Sequence, residues 1–434
     1  MENYEGLKRR IQTESLAPDP GHPGEFIKRY NGNGQDGIGF LQPNTWVFHP
    51  QVVESVLTGD YEGIMPFSAE FVTTLNCSNR CEFCGYRNVK MLELNWIRNN
   101  FKDPEVHMQD INYAKTLLGK LIDGGVRGLI FTGGGEPSSF SHLDELVAYT
   151  TQREADSVVY TNGNSIPPER ARKIARANPL LVRVSLNAGT PEVYNAMHNP
   201  LNPVGALERC LQTIEVLAQE AKKSYSKMSV GIGVVIDEKN QDDLENTALR
   251  IREIADRTKG GIEFVAYRPV FEYYETAEQL PVALLDKTHA IVEDRVRKIL
   301  DGTGVKVSNV TCRYEALKHN TRNYEICRTT GLIAELGPNG NLHLCCDRNL
   351  NRRFVIGNLN TQSLEEVWNS ELRKYILNYI NSGKCKMCPP GCKSHETNIQ
   401  FQKIEELRSQ GEIERARLWI EEQQKMKKPK MWNF

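Results

Sequence analysis

The chain has 434 residues, room for a large core and a soft expectation of roughly three domains, and it sets 54 Lys and Arg against 55 Asp and Glu. That near-zero balance argues against a surface devoted to nucleic acid. The N-terminus, MENYEGLKRR, lacks the apolar centre of a secretion signal, and no apolar run is long enough to span a bilayer. Eleven cysteines in such a chain point to a cytoplasmic setting and metal ligation rather than disulfides.

Residues 1–65 read as an N-terminal extension, with loops in PDPGHPGEF and YNGNGQDGIGF and a short helix at 50–57. From 66 to 305, strands alternate with helical stretches. The strands are expected at 67–75, 127–132, 157–162, 181–187, 228–236 and 262–267, with amphipathic stretches such as 111–122 and 206–223 between them. Repeated β-then-α order predicts a parallel sheet with helices outside. Right-handed crossovers then curl the strands one way, and functional residues belong at the strands' C-terminal ends.

The first strand runs into CSNRCEFCGY, a CxxxCxxC loop of Cys77, Cys81 and Cys84 with Phe83 before the last cysteine. Such a loop can wrap three thiolates around one iron–sulfur cuboid. No fourth cysteine follows in the loop, so one iron stays open to a small molecule. The competing reading is part of a zinc site or a group of buried cysteines. The second strand ends in GGGEP, residues 133–137. Its glycines let backbone carbonyls approach a ligand closely, and Glu136 offers an anionic acceptor; a plain tight turn is the alternative. The third strand ends in YTNGN, with Asn162 at the rim. The fourth, RVSLNAG, puts Arg183, Ser185 and Asn187 on one face, expected to point into the barrel. The sixth ends in Tyr267, Arg268 and Pro269, polar side chains in reach of a bound ligand.

Residues 306–395 change character. The segment VKVSNVTC reads as a strand leaving the barrel and carrying Cys312. Cys327 is followed by twelve residues, Gly340, four residues and Cys345, and the intervening AELGPNGNLHL reads as a hairpin that brings the two cysteines together. A helix is expected at 364–380, and Cys385 and Cys388 form a CxxC. These four suffice for one further [4Fe–4S] cluster, or for a zinc ribbon. Cys392 offers a shifted ligand set. Cys210, inside a helical stretch, reads as a small buried side chain. Residues 396–434 read as a charged, solvated helical tail.

The cysteine loop and the GGEP segment, each after a strand and in this order, resemble the signature of the radical S-adenosylmethionine (SAM) superfamily. The Cys327–Cys388 set resembles its appended SPASM/twitch module, with one auxiliary cluster because further cysteines of the full pattern are missing. The resemblance implies an α/β fold, a partial (β/α)6 TIM-like barrel with a small C-terminal α+β domain. It implies a SAM-binding [4Fe–4S] cluster on Cys77, Cys81 and Cys84. It places Gly134, Gly135 and Glu136 at the SAM amine, Ser185 and Asn187 at its ribose or carboxylate, and Asn162, Arg183 and Tyr267 around it. The VGIGVVI strand is similar to the family's glycine-containing strand near adenine. Electron transfer from a reductant such as flavodoxin or ferredoxin then yields a 5′-deoxyadenosyl radical that removes hydrogen from a substrate. The leader through residue 66 favours a carbohydrate- or nucleoside-like metabolite, with a ribosomally made peptide as the alternative. A non-catalytic iron–sulfur or zinc-binding module is the reading from another class. The auxiliary cluster suits oxidation; Cys312 or Cys346, as a hydrogen donor, suits epimerisation.

Overall fold

The computed structural model describes residues 45–86, 107–223, 225–270, 282–309, 314, 317–318, 324–348, 351–383, 385, 388 and 392–425. Seven strands lie side by side in chain order: β1 Ser68–Phe71, β2 Gly128–Phe131, β3 Asp156–Thr161, β4 Leu181–Ser185, β5 Ser229–Ile236, β6 Phe264–Pro269 and β7 Lys306–Asn309. All six pairings between neighbours are parallel. Helices fill the crossovers: α1 Pro50–Thr58 precedes the sheet, then come α2 Ile111–Asp123, α3 Leu143–Gln152, α4 Pro168–Arg176, α5 Pro191–His198, α6 Ala206–Ala221 and α7 Leu244–Thr258. The α/β partial barrel is present. The strand expected to leave it, 306–309, instead adds to its edge, Phe264 opposite Lys306. Cys312 lies outside the described residues.

Side-chain alternation divides the sheet into two faces. Phe71, Leu129, Phe131, Val159, Val182, Val184, Ile232 and Val265 join the helices in one large core. The opposite, inner face carries Ile130, Val158, Leu181, Phe264 and Ala266. The glycines of VGIGVVI belong to that inner face. A Cβ on Gly231 would sit 2.3 Å from the Phe264 ring, and one on Gly233 would sit 3.5 Å from Arg183 Nε. Their absence makes room for neighbouring side chains.

The C-terminal module is built onto the same sheet. Strands β8 Ile333–Leu336 and β9 Asn341–His343 form the expected hairpin around Gly340, whose φ of +82° suits the turn. β8 lies parallel to β1, Ser68 opposite Ile333 and Phe71 opposite Leu336, and β10 Val355–Asn358 pairs with β9. The helix expected at 364–380 is two helices, α8 Leu364–Trp368 and α9 Glu371–Ser382. Ser370 interrupts them, its hydroxyl accepting from Arg373 N at 3.2 Å as an N-cap.

Of the solvated tail expected at 396–434, the described part, to residue 425, is packed instead, and 426–434 lie outside the described residues. Helices α10 His395–Ser409 and α11 Ile413–Gln424 pack against α1 in a second core of Trp46, Val56, Phe401, Leu407 and Trp419. Trp46 meets Phe401 edge-on at 5.0 Å. Its indole N–H donates to Gln400 at 2.8 Å. Polar or charged residues at most positions masked the apolar stripe. Among the described residues no helix is long and apolar enough to cross a membrane.

Gly231→Ala forces a methyl into the Phe264 ring. Overpacking of this kind costs about 1–3 kcal/mol, read as a lower midpoint in urea unfolding; an unchanged midpoint would show the inner face to be loosely filled.

Candidate active site

The cysteine loop leaves β1 and is clamped by the turn that leaves β2. Gly133 and Gly134 have φ of 70° and 59°, conformations that glycine adopts without strain. Gly135 then lies directly against the loop, where a Cβ would sit 2.1 Å from Asn76 O. Gly135 N donates to Thr74 O at 2.8 Å and Glu136 N to Asn76 O at 2.7 Å. The three thiols beyond this clamp are partly exposed.

Glu136 is buried, and its carboxylate already accepts three internal hydrogen bonds. Ser138 N at 3.1 Å and Thr161 Oγ1 at 2.6 Å donate to one oxygen, and Asn162 N at 2.7 Å to the other. A carboxylate has about four acceptor sites, so one remains for a ligand. Glu136 therefore ties the end of β3 to the glycine turn. Asn162, held there, extends its side-chain amide to Ser78 Oγ at 3.1 Å and to Cys77 Sγ at 3.8 Å.

Sequence reasoning missed His198, at the end of α5. It is fully buried and stacks on Tyr194 at 4.3 Å. Its Nδ1 lies 3.1 Å from Asn79 Nδ2 and 3.6 Å from Cys81 Sγ, and its Nε2 lies 3.2 Å from Leu186 O. Burial pushes the imidazole down to about 4, so it is neutral at pH 7. The Nε2–H tautomer then donates to Leu186 O and leaves Nδ1 to accept from Asn79. A lone histidine before Asn-Pro carries no sequence signal for this role.

On the inner face of β4, the Arg183 guanidinium covers the Tyr160 ring at 3.7 Å, is 9% exposed, and its Nε has no hydrogen-bond partner. Ser185 is half-buried. Asn187 adopts φ of 58°, accepts from Val235 N at 2.8 Å through Oδ1, and leaves Nδ2 buried without a partner. Two orphaned donors on one face fit an anionic group. Tyr267 does not join them. It alternates with the inner-facing Phe264 and Ala266, so it points to the helices and is fully buried in that core. Its expected role beside a ligand is withdrawn. Cys210 is buried as expected, its thiol pushed up to about 12 by burial.

The second cysteine group also converges. Cys385, in the left-handed region at φ 57°, accepts from Cys388 N at 2.9 Å. Cys327 Sγ receives Asn398 Nδ2 at 3.4 Å. Burial raises the thiol of Cys345, and the charges of Cys388 and Cys327 add to the shift. Cys392 feels Cys388 and Cys327 as well, so five thiols share this region. No three of them lie within 4.8 Å of one another. Cys346 faces elsewhere. Its Sγ and carboxylate oxygens of Glu70 and Glu335 lie within 4.8 Å of one another, and Lys393 pairs with Glu70. Burial, then the Glu70 charge, raises Glu335.

Residues 71–251 match the model of the radical SAM superfamily, and residues 311–389 that of the iron–sulfur cluster-binding SPASM domain. The chain is 26% identical over 264 residues to mycofactocin maturase MftC of Mycobacterium ulcerans, covering 59% of this chain and 66% of that protein. It is 24% identical over 261 residues to the S-adenosyl-L-methionine-dependent tRNA 4-demethylwyosine synthase of Schizosaccharomyces pombe, covering 57% of this chain and 35% of that protein. The chain thus spans between about a third and two thirds of these relatives. Its fold is similar to Streptococcus suis SuiB bound to S-adenosylmethionine, with TM-score 0.55, 15% identity and coverage of 79% of this chain and 74% of that one. SuiB bound to precursor peptide SuiA gives TM-score 0.55 at 15% identity over 80% of this chain and 74% of that one.

Glu136→Gln sets an amide N–H₂ against donors that the carboxylate now satisfies. The expected cost is about 1–3 kcal/mol, measured by chemical denaturation of the cluster-free protein. Unchanged stability would leave the carboxylate free for ligand binding alone.

Proposed function

Because this chain belongs to the radical SAM superfamily and carries a SPASM iron–sulfur domain, we propose that it is a SAM-dependent radical enzyme that modifies a peptide. The observation that carries the chemistry is the three-thiol loop clamped against the Gly133–Pro137 turn. SAM at that cluster supplies a 5′-deoxyadenosyl radical that takes a hydrogen atom from the substrate.

The chain's own residues have these parts. Cys77, Cys81 and Cys84 hold the SAM-site cluster, with Asn79, Asn162 and His198 fixing the loop. The backbone of Gly134 and Gly135 lines the amine subsite. Arg183 and Asn187 aim their unpartnered N–H groups at the carboxylate of SAM, and Ser185 lies between them on the same face. Cys327, Cys345, Cys385 and Cys388 hold the auxiliary cluster.

The relatives support a peptide over the carbohydrate- or nucleoside-like metabolite expected from the leader segment. One is a maturase, and the SuiB fold has been seen with a precursor peptide. Oxidation is the favoured outcome; Cys312 or Cys346 would donate hydrogen if the reaction is redox-neutral. A one-electron reductant such as flavodoxin or ferredoxin completes the scheme.

The test is anaerobic. The reconstituted, reduced enzyme is expected to form 5′-deoxyadenosine from SAM, and the Cys77→Ala/Cys81→Ala/Cys84→Ala protein to form none. Cell extract grown on deuterated medium, separated by size, serves as substrate. Deuterium in 5′-deoxyadenosine from the peptide fraction supports the assignment, whereas label only from the small-metabolite fraction sinks it. Arg183→Gln should weaken SAM binding about 10- to 100-fold, the loss of one charge-assisted bond.

A further inference from the structure

Among the described residues Arg348 is a buried cation without an acid. It closes the short 3-10 turn Cys346–Arg348, which begins directly after Cys345, and its backbone N–H donates to Cys345 O at 3.1 Å. The side chain is 6% exposed. Its guanidinium lies 5.4 Å from the Phe354 ring centroid, and neither Nε nor Nη2 has an acceptor. Among the described residues it forms no ion pair, although Asp347 is its chain neighbour.

A guanidinium removed from water without a counter-charge is strongly unfavourable. The turn fixes where its side chain goes: residues i and i+3 of a 3-10 turn lie on one side, so the Arg348 side chain stands on the same side as that of the assigned ligand Cys345. Four thiolates around a [4Fe–4S] core carry net negative charge in either redox state, and one more negative charge after reduction. Hydrogen bonds to the sulfurs and positive charge nearby stabilise the more negative state and raise the potential.

We propose that Arg348 is the counter-charge of the auxiliary cluster. Its unpartnered Nε–H and Nη2–H donate to the cluster's sulfurs and raise its reduction potential, so that the cluster is poised to accept an electron. The inference rests on the assignment of the auxiliary cluster to Cys327, Cys345, Cys385 and Cys388. It deepens that assignment by giving the cluster a redox direction, the one an oxidative modification needs.

The experiment uses the full chain with Cys77, Cys81 and Cys84 replaced by Ala, so that only auxiliary iron remains. The midpoint potential is read by EPR during a redox titration. Arg348→Gln is expected to shift the oxidised-to-reduced ratio at fixed potential at least tenfold towards oxidised, 59 mV for a one-electron couple. Arg348→Lys, which keeps the charge and loses the fork, should shift it less. An unchanged midpoint in Arg348→Gln with its iron intact overturns the proposal. If Arg348→Gln assembles no cluster, the parent protein with ¹⁵N-labelled guanidino groups decides. Exchangeable-proton and ¹⁵N hyperfine couplings on the reduced cluster support the proposal, and their absence overturns it. A triple-Ala protein that retains no iron and sulfide removes the auxiliary-cluster assignment itself, a failure distinct from that of Arg348.

Discussion

The contact on which the site depends is backbone against backbone. Gly135 lies so close to Asn76 that no side chain fits between them, and hydrogen bonds to Thr74 and Asn76 fix the approach. This joins the first two strand ends into one surface. The cysteine loop begins at the edge of that surface, so its thiols inherit a position set by the sheet. Glu136 extends the surface to a third strand end through Thr161 and Asn162. The next side chain in the relay, Asn162, reaches back to Ser78 and Cys77. Three successive strands therefore converge on one loop through polar bonds that burial shields from water, where each is costly to leave unmade.

The rest of the scaffold keeps that convergence dry. Apolar residues on the outer face of each strand pack under helices, while the inner face is only partly apolar and holds Arg183, Asn187, Glu70 and Glu335. Polar groups on an inner face are expensive unless they serve a ligand or one another. Glu70, Glu335 and Lys393 serve one another. Arg183 Nε and Asn187 Nδ2 do not, and that difference separates the network that stabilises the molecule from donors left without a partner among the described residues.

Much of this was legible in the sequence, because metal ligation and tight turns need particular residues at particular spacings. The cysteine loop, the GGGEP turn and the Pro-Asn-Gly hairpin announce themselves that way. Strand order was readable from the β-then-α rhythm. What was hidden depends on tertiary partners. His198 acts through Asn79, more than a hundred residues away, and nothing local marks it. Tyr267 was expected at the rim of a strand ending there; the strand runs on to Pro269, so Tyr267 lies within it, on the face opposite Phe264 and Ala266. The C-terminal helices looked solvated because a few large residues, Phe401 and Trp419 among them, do the burying amid many charges. The split at Ser370 was a capping signal read as helix interior.

The ladder between β1 and β8 makes the C-terminal module an extension of the barrel sheet. A hinge between the two halves would have to tear main-chain hydrogen bonds at Ser68–Phe71 and Ile333–Leu336. The span between the SAM-site cysteines and the auxiliary cysteines is therefore a fixed constant of the molecule, like the gap in a tuned circuit. Any electron exchanged between groups held at those two sets of cysteines would cross a gap set by strand pairing.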